Sequence, residues 1–297
     1  MKGIKKNLIL FIAICIIMIV ILISLRNDKA VFFPIFILTI SSVVLSSCIL
    51  FVRPAIKKEK EFKEMQEKNI RIENMRREFV ANVSHDLKTP LTSISGFIET
   101  LQSGTVKDEK TKERFIEIIA IETARLNRLI EDVLILSDIE TKPSAGKEYF
   151  RLDRCCHKVA EVLYPIAKLE NISIHIDARK PVEISGSEDR FIQMLMNLIE
   201  NAIKYGKKGG NVYVCITEED EKIFLKIKDD GIGIAPEHID RITERFYRVD
   251  KSRSKDVGGT GLGLSIVKHT VALFNGKLII KSKPGEGSVF TIVLTRE

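Results

Sequence analysis

Apolar and polar positions change period four times along the chain. Leu8 to Leu25 is apolar and uncharged, about long enough to cross a bilayer. Arg26-Asn27-Asp28-Lys29-Ala30 interrupts it, and a second uncharged run follows from Val31 to Val52. The pair predicts a two-helix transmembrane hairpin over residues 1–52. Lys2, Lys5 and Lys6 precede it, and Arg53, Lys57, Lys58 and Lys60 follow it, so the positive-inside bias places both termini in the cytoplasm. No small-residue cleavage site separates the runs, as a secretory signal would need.

From Arg53 to Arg77 the composition turns to charged helix formers. Phe62, Met65, Ile72, Met75, Phe79 and Val83 form a stripe, with Met65, Ile72 and Phe79 seven apart, as in a coiled-coil seam. This predicts a helical linker over 53–78. Phe79, Val83 and Leu87 then recur every four residues on one helix side, and His85 lies off that line. Pro90 removes one helical hydrogen bond and predicts a kink. Leu91 to Leu101 continues the helix, and Gly104 to Lys107 reads as a turn. A second helix, Asp108 to Ile139, carries Phe115, Ile119, Glu122, Leu126, Leu129, Val133 and Leu136 at alternating spacings of four and three. Two such helices cannot bury both seams alone. A dimer that completes a four-helix bundle solves this, over residues 79–142.

Thr141 to Lys147, with Pro143 and Gly146, is a linker. Beyond it, over 148–297, the pattern mixes strands and helices. Helices are predicted at Cys155–Leu169, Glu188–Tyr205 and Leu262–Phe274. Strands are predicted at Ile172–Asp177, Val182–Ser185, Asn211–Thr217, Lys222–Asp229, Lys277–Ser282 and Ser288–Leu294. The fold class is therefore multidomain: transmembrane hairpin, dimeric α-helical hairpin, and an α/β two-layer sandwich.

The five cysteines, Cys15, Cys48, Cys155, Cys156 and Cys215, show no CxxC spacing, which excludes a zinc ribbon and fits a reducing compartment. The Cys155-Cys156 pair reads as helix packing. A net charge of +7, spread near the apolar runs and around Lys251 to Lys255, gives no support to direct nucleic-acid binding.

Chemistry concentrates in four stretches. His85-Asp86-Leu87-Lys88-Thr89-Pro90 sets an imidazole beside a carboxylate that can orient it or take its proton. Asn197, Asn201 and Lys204 share a helix face: two carbonyl oxygens suited to a magnesium ion already held by phosphates, and one point charge for phosphate. Asp229-Asp230-Gly231-Ile232-Gly233 follows a strand, with an acceptor for an exocyclic amine and glycines that let backbone approach a ring. Gly258-Gly259-Thr260-Gly261-Leu262-Gly263-Leu264 opens the last long helix as an anion cradle, and is neither a Walker A loop nor GxGxxG. Between the glycine clusters, Glu244-Arg245-Phe246-Tyr247-Arg248 and the polar run to Val257 read as a mobile lid.

In this order the motifs resemble membrane sensor histidine kinases of two-component systems, intramembrane-sensing type with a short extracytoplasmic loop. The resemblance runs from Arg53 to the C-terminus. His85, Asp86, Thr89 and Pro90 match the phospho-acceptor box, and the later motifs match a Bergerat (GHKL) ATP-binding domain. The interval from Val52 to His85 is too short for the HAMP module of many relatives. The resemblance implies a homodimeric ATP-dependent protein-histidine kinase of the bacterial cell membrane. It autophosphorylates His85, passes the phosphoryl group to an aspartate on a response-regulator receiver domain, and also dephosphorylates that regulator through Thr89. ATP and Mg2+ are implied, with Asn201 and Asn197 on the metal, Lys204 and Arg248 on phosphates, and Tyr205 lining the site. Asp229 with Gly231 and Gly233 would read adenine, and Gly259, Gly261, Leu262 and Gly263 would shape the phosphate cradle. A membrane sensor or transporter protein is a further expected partner. Asp86, Asp230 and Thr243 depart from the commoner glutamate, asparagine and phenylalanine. An ATP-binding membrane adaptor without kinase activity is the alternative, and the intact acceptor box argues against it.

Overall fold

The computed structural model describes residues 53–141, 148–178, 180–249 and 259–296, with scattered positions before 53. The expected membrane hairpin, the linker over 142–147 and the lid over 250–258 fall outside the described residues, but for those scattered positions. Among the described residues no helix is long and apolar enough to cross a membrane. The chain divides into two units, Met1–Glu78 and Phe79–Glu297.

Helix α1 spans Arg53–Gln102. Within the first unit it is laced by i,i+4 ion pairs, Lys63 with Glu59 at 2.8 Å and Arg77 with Glu73 at 3.3 Å. Exposed pairs of this kind contribute only a few tenths of a kcal/mol each. Phe62, Met65, Ile72 and Met75 are all at least half exposed, an apolar stripe on a charged helix.

In the second unit α1 runs unbroken through Pro90, which is buried. Ser103 and the left-handed Gly104 (φ 68°) end the hairpin arm. Asp108 then caps α2 (Glu109–Thr141): its carboxylate accepts from the Thr111 N–H at 2.9 Å and the Thr111 hydroxyl at 2.7 Å, which holds the carboxyl below its usual range. Phe97 and Phe115 close the arms against each other, with ring centroids 4.8 Å apart.

The remainder is a sheet with helices on one face. β1 (Glu148–Arg151) pairs antiparallel with β3 (Glu183–Gly186). β2 (Ser173–Asp177), β4 (Asn211–Glu219), β5 (Lys222–Asp229), β6 (Lys277–Lys283) and β7 (Gly287–Thr295) form a five-stranded sheet in the order β2-β4-β5-β7-β6. Only the β2–β4 pairing is parallel. α3 (Leu152–Leu169), α4 (Glu188–Lys204) and α6 (Gly263–Leu273) cover it, and a single turn, α5 (Pro236–Ile239), follows β5.

Strict alternation along β5 buries Ile223, Leu225 and Ile227 under α4, whose Phe191, Leu195, Leu198 and Ile199 fill the other side. Cys155 and Cys156 are fully buried in this core, so the pair does serve packing, and burial pushes both thiols up to about 12. The predicted strands and long helices appear, with Lys222–Asp229 matched at both ends and the others displaced by at most three residues at an end. Ser187 caps α4, whose start at Glu188 is as predicted, by accepting from the Arg190 N–H at 3.4 Å. β1 and α5, four residues each, are absent from the sequence prediction. β1 is nevertheless anchored, since Phe150 packs on Phe191 (5.5 Å) and Phe274 (6.1 Å).

Truncating the β5 side of this core tests the layering. Leu225→Ala should cost about 2–5 kcal/mol. Tyr149→Ala, at a largely exposed position of β1, should change stability by under about 0.5 kcal/mol. Denaturant midpoints of the two variants measure both.

Candidate functional site

His85 is four-fifths exposed on α1, and its Nδ1 lies 3.1 Å from Asp86 Oδ1. An ionised Asp86 can only accept, so this contact requires the proton on Nδ1 and leaves the lone pair on Nε2. Thr89 donates its hydroxyl back to the His85 carbonyl at 3.2 Å. Pro90 lies beneath them, its buried ring lining a crevice with Asp86, Arg125, Leu129, Gly259 and Thr260.

That crevice brings the acceptor helix to the glycine loop. Thr260 donates to Asp132 of α2 at 2.6 Å, while the Leu262 N–H donates to the Thr260 hydroxyl at 3.3 Å. Burial pushes the Asp132 carboxyl up, against the Thr260 hydrogen bond. Leu262 and Ile266 of the loop and α6 pack with Leu129, Leu136 and Ile139 of α2, all at most 5% exposed. Phe79 joins them, 5.8 Å from the Phe246 ring, with the Arg245 guanidinium 5.2 Å from the Phe79 centroid. Farther along α2, Asp138 receives Arg190 of α4 at 2.7 Å, and Arg128 approaches Glu200 at 3.8 Å. Part of the seam that the sequence assigns to dimerisation is thus used within the chain: Leu129 and Leu136 meet α6. Asp132, Asp138, Arg190 and Thr260 were not read as functional from the sequence. Thr260 lies in the glycine stretch without a role of its own there, and the contacts of α2 with the glycine loop and with α4 single out all four.

The expected phosphate side is cationic. Lys204 ends α4 with its Nζ 3.0 Å from where a Cβ on Gly259 would stand. Burial pushes its ammonium down to about 8, with Arg128 and Arg248 lowering it further and Glu200 opposing them. Burial also lowers Arg248, which lies within electrostatic reach of Tyr205, Arg125 and Asp86. Tyr205 caps α4, and burial raises its phenol. Asn197 donates from Nδ2 to the Gly263 carbonyl at 3.4 Å, and Asn201 is half-buried one turn on. Leu262 differs from the other cradle residues in that its side chain is fully buried in the α2 cluster.

Asp229 is buried, with Oδ1 accepting from the Gly231 N–H at 2.9 Å and the Ser288 N–H at 3.2 Å. Burial raises its carboxyl, and those hydrogen bonds offset part of the rise. Gly231 and Gly233 are required by the chain's own backbone: a Cβ would stand 2.1 Å from the Tyr205 carbonyl and 2.0 Å from the Lys283 carbonyl, respectively. At Gly261 (φ 73°) the same constraint comes from Phe246 Cα at 2.9 Å. The loop glycine that faces a functional cation is Gly259. Asp230 turns away, accepting from the Asn211 N–H at 2.9 Å.

For a divalent ion the donor set is sparse. Among the described residues no cluster of three His, Cys, Asp or Glu side chains could hold a metal. Two half-buried asparagine oxygens fit a magnesium ion that draws its other ligands from phosphate and water.

Residues 75–142 match the His Kinase A (phospho-acceptor) domain, and residues 186–297 match the histidine kinase-, DNA gyrase B-, and HSP90-like ATPase. The chain is 37% identical over 221 residues to the phosphate regulon sensor protein PhoR of Pseudomonas aeruginosa, covering 74% of this chain and 50% of that protein. It is 35% identical over 228 residues to the sensor histidine kinase WalK of Bacillus subtilis, covering 75% of this chain and 37% of that one. It spans half or less of these two relatives. Among solved structures it is similar to the Acinetobacter baumannii histidine kinase AdeS, with a TM-score of 0.59, 26% identity, and coverage of 72% of this chain and 98% of that one. With both domain matches on one chain, the protein belongs to the two-component sensor histidine kinases, with a GHKL-type ATPase domain.

Proposed function

We propose that the chain is an ATP-dependent protein-histidine kinase that phosphorylates its own His85 and passes the phosphoryl group to an aspartate of a response regulator. One observation carries this reading: the carboxylate on His85 Nδ1 is also within electrostatic reach of Arg248, which shares a cationic patch with Lys204 beside Gly259. In this reading Asp86 holds the proton on Nδ1, so Nε2 attacks the γ-phosphorus in line, and Lys204 and Arg248 neutralise charge on the phosphate oxygens. Asp229 accepts from the adenine amine, beside the turn that Gly231 and Gly233 permit. Asn197 and Asn201 would hold Mg2+, which supplies charge neutralisation on phosphate oxygens when bound. Thr89 positions water for the reverse, dephosphorylating reaction.

The two uncharged apolar runs and their flanking lysines support a hairpin in the bacterial cell membrane with both termini cytoplasmic. The five-residue break Arg26–Ala30 leaves no room for an extracytoplasmic ligand domain, so the stimulus enters through the bilayer or through a membrane sensor or transporter protein. Homodimerisation is supported by a row of apolar side chains left exposed on the hairpin, Val80, Leu91 and Ile98 on α1 and Ile130 and Leu134 on α2.

The arrangement seen is a resting one in this reading. The crevice between Asp86 and Gly259 has a volume of about 10 Å³, the space of one water and too little for a phosphoryl group. In this reading the ATPase layer shifts on α2 before transfer, and the Asp132–Thr260 bond opposes that step.

Incubating the full chain with γ-labelled ATP should give an acid-labile label that His85→Ala abolishes. Label undiminished in that variant would refute the assignment. Asp132→Ala should raise the initial rate of labelling roughly five-fold, as loss of one net hydrogen bond of about 1 kcal/mol implies, at unchanged nucleotide affinity. A slower rate would mean that the docked state is the productive one. For Lys204 the sign follows from proton counting. The unfolded lysine keeps its proton up to about 10.5 and the folded one only to about 8. Stability of the nucleotide-free protein should rise with pH across that window and stay flat below it. Lys204→Met should remove the rise, on the order of 1–2 kcal/mol after solvent screening, and weaken ATP binding; urea titrations from pH 7 to 10.5 read it.

A further inference from the structure

The face of the five-stranded sheet opposite the helices is unevenly charged. Outward positions on β5 are Lys222, Phe224, Lys226 and Lys228, and on β6 they are Lys277, Ile279, Lys281 and Lys283. β7 lies between them and turns Val289, Thr291, Val293 and Thr295 outward. Register places Val289 between Lys228 and Lys281, Thr291 between Lys226 and Ile279, and Val293 between Phe224 and Lys277. Half the outward residues on these three strands are lysines, and none is acidic. Among the described residues Lys283 alone of the six stands in an ion pair, with Glu286 in the adjoining turn. The cations therefore flank a shallow, half-buried aliphatic row, on strands about 10 Å apart across β7.

Folding does not need this. The stems of the lysines shield the row, but uncharged polar side chains would do so without crowding like charges. We propose that this face docks an acidic, extended protein segment, laid along β7, whose carboxylates meet the two lysine columns while small apolar side chains sit on Val289 and Val293. A single-stranded nucleic acid fits less well. Its bases need open aromatic platforms, and neither aromatic here offers one: Phe224 is half-buried with the Lys226 ammonium 5.9 Å from its centroid, and Tyr213, across from Lys228 on β4, is already stacked on His175 at 4.8 Å. The surface involves none of the groups assigned to phosphoryl transfer, so it stands or falls apart from that assignment.

Fluorescence anisotropy with the full chain in neutral-lipid nanodiscs tests it. The probe is a labelled twelve-residue peptide of alternating Asp and Val, set against a dT12 oligonucleotide and phosphatidylglycerol vesicles. The peptide should bind, weaken with added salt, and lose at least ten-fold in affinity in Lys228→Glu/Lys281→Glu. Lys107→Glu/Lys110→Glu, the same charge change on exposed residues before and at the start of α2, should leave binding unaltered. No peptide binding, equal loss in both double variants, or tighter binding of the oligonucleotide or the vesicles would overturn the proposal. His85 labelling in Lys228→Glu/Lys281→Glu should match the unaltered chain, and a melting curve confirms that the variant is folded.

Discussion

An apolar contact between two helices decides where the chemistry of this protein can happen. Leu262 and Ile266 on one side, and Leu129, Leu136 and Ile139 on the other, are as dry as the centre of the sheet domain. Burying side chains of this size contributes roughly 1.5–3 kcal/mol each. That is several times what the exposed ion pairs along α1 supply. The polar contacts around the cluster, Thr260 to Asp132 and Arg190 to Asp138, then fix its register, because hydrogen bonds are directional and need matched lengths. A greasy contact supplies the attraction and a few directional bonds supply the address.

The pocket side follows a different rule. Its glycines look, in the sequence, like room left for a ligand. In the structure the space beside Gly231 and Gly233 is already filled by the Tyr205 and Lys283 carbonyls. The walls are therefore set by the sheet before any nucleotide arrives. Asp229 illustrates the same point: two N–H groups of the pocket's own backbone hold its Oδ1 in place. Rigid walls and a buried acceptor need no ordering on binding, which keeps the entropic cost of recognition low.

Sequence reading recovered the strands and long helices of the ATPase layer because one-sided burial writes a period of two or 3.6 into the residues. Its proposals for His85, Lys204 and Asp229 rest on local motifs, although Lys204 and Asp229 meet neighbours far along the chain, at Gly259 and Ser288. It missed β1, and it did not foresee that Leu129 and Leu136 pack on α6 within the same chain. A heptad seam says that a face is buried but not by what. Asp132 and Thr260 are 128 residues apart, and no local pattern relates them. The misreadings share one cause: they concern contacts between elements rather than the elements themselves.

The paired thiols of α3 lead somewhere else. Cys155 and Cys156 are sealed in the sheet domain and held in the protonated form, so alkylating reagents and oxidants meet neither while the fold is closed. Their modification must wait for the core itself to open. The rate at which these sulfurs react is then a clock for that opening, already wired into the natural chain.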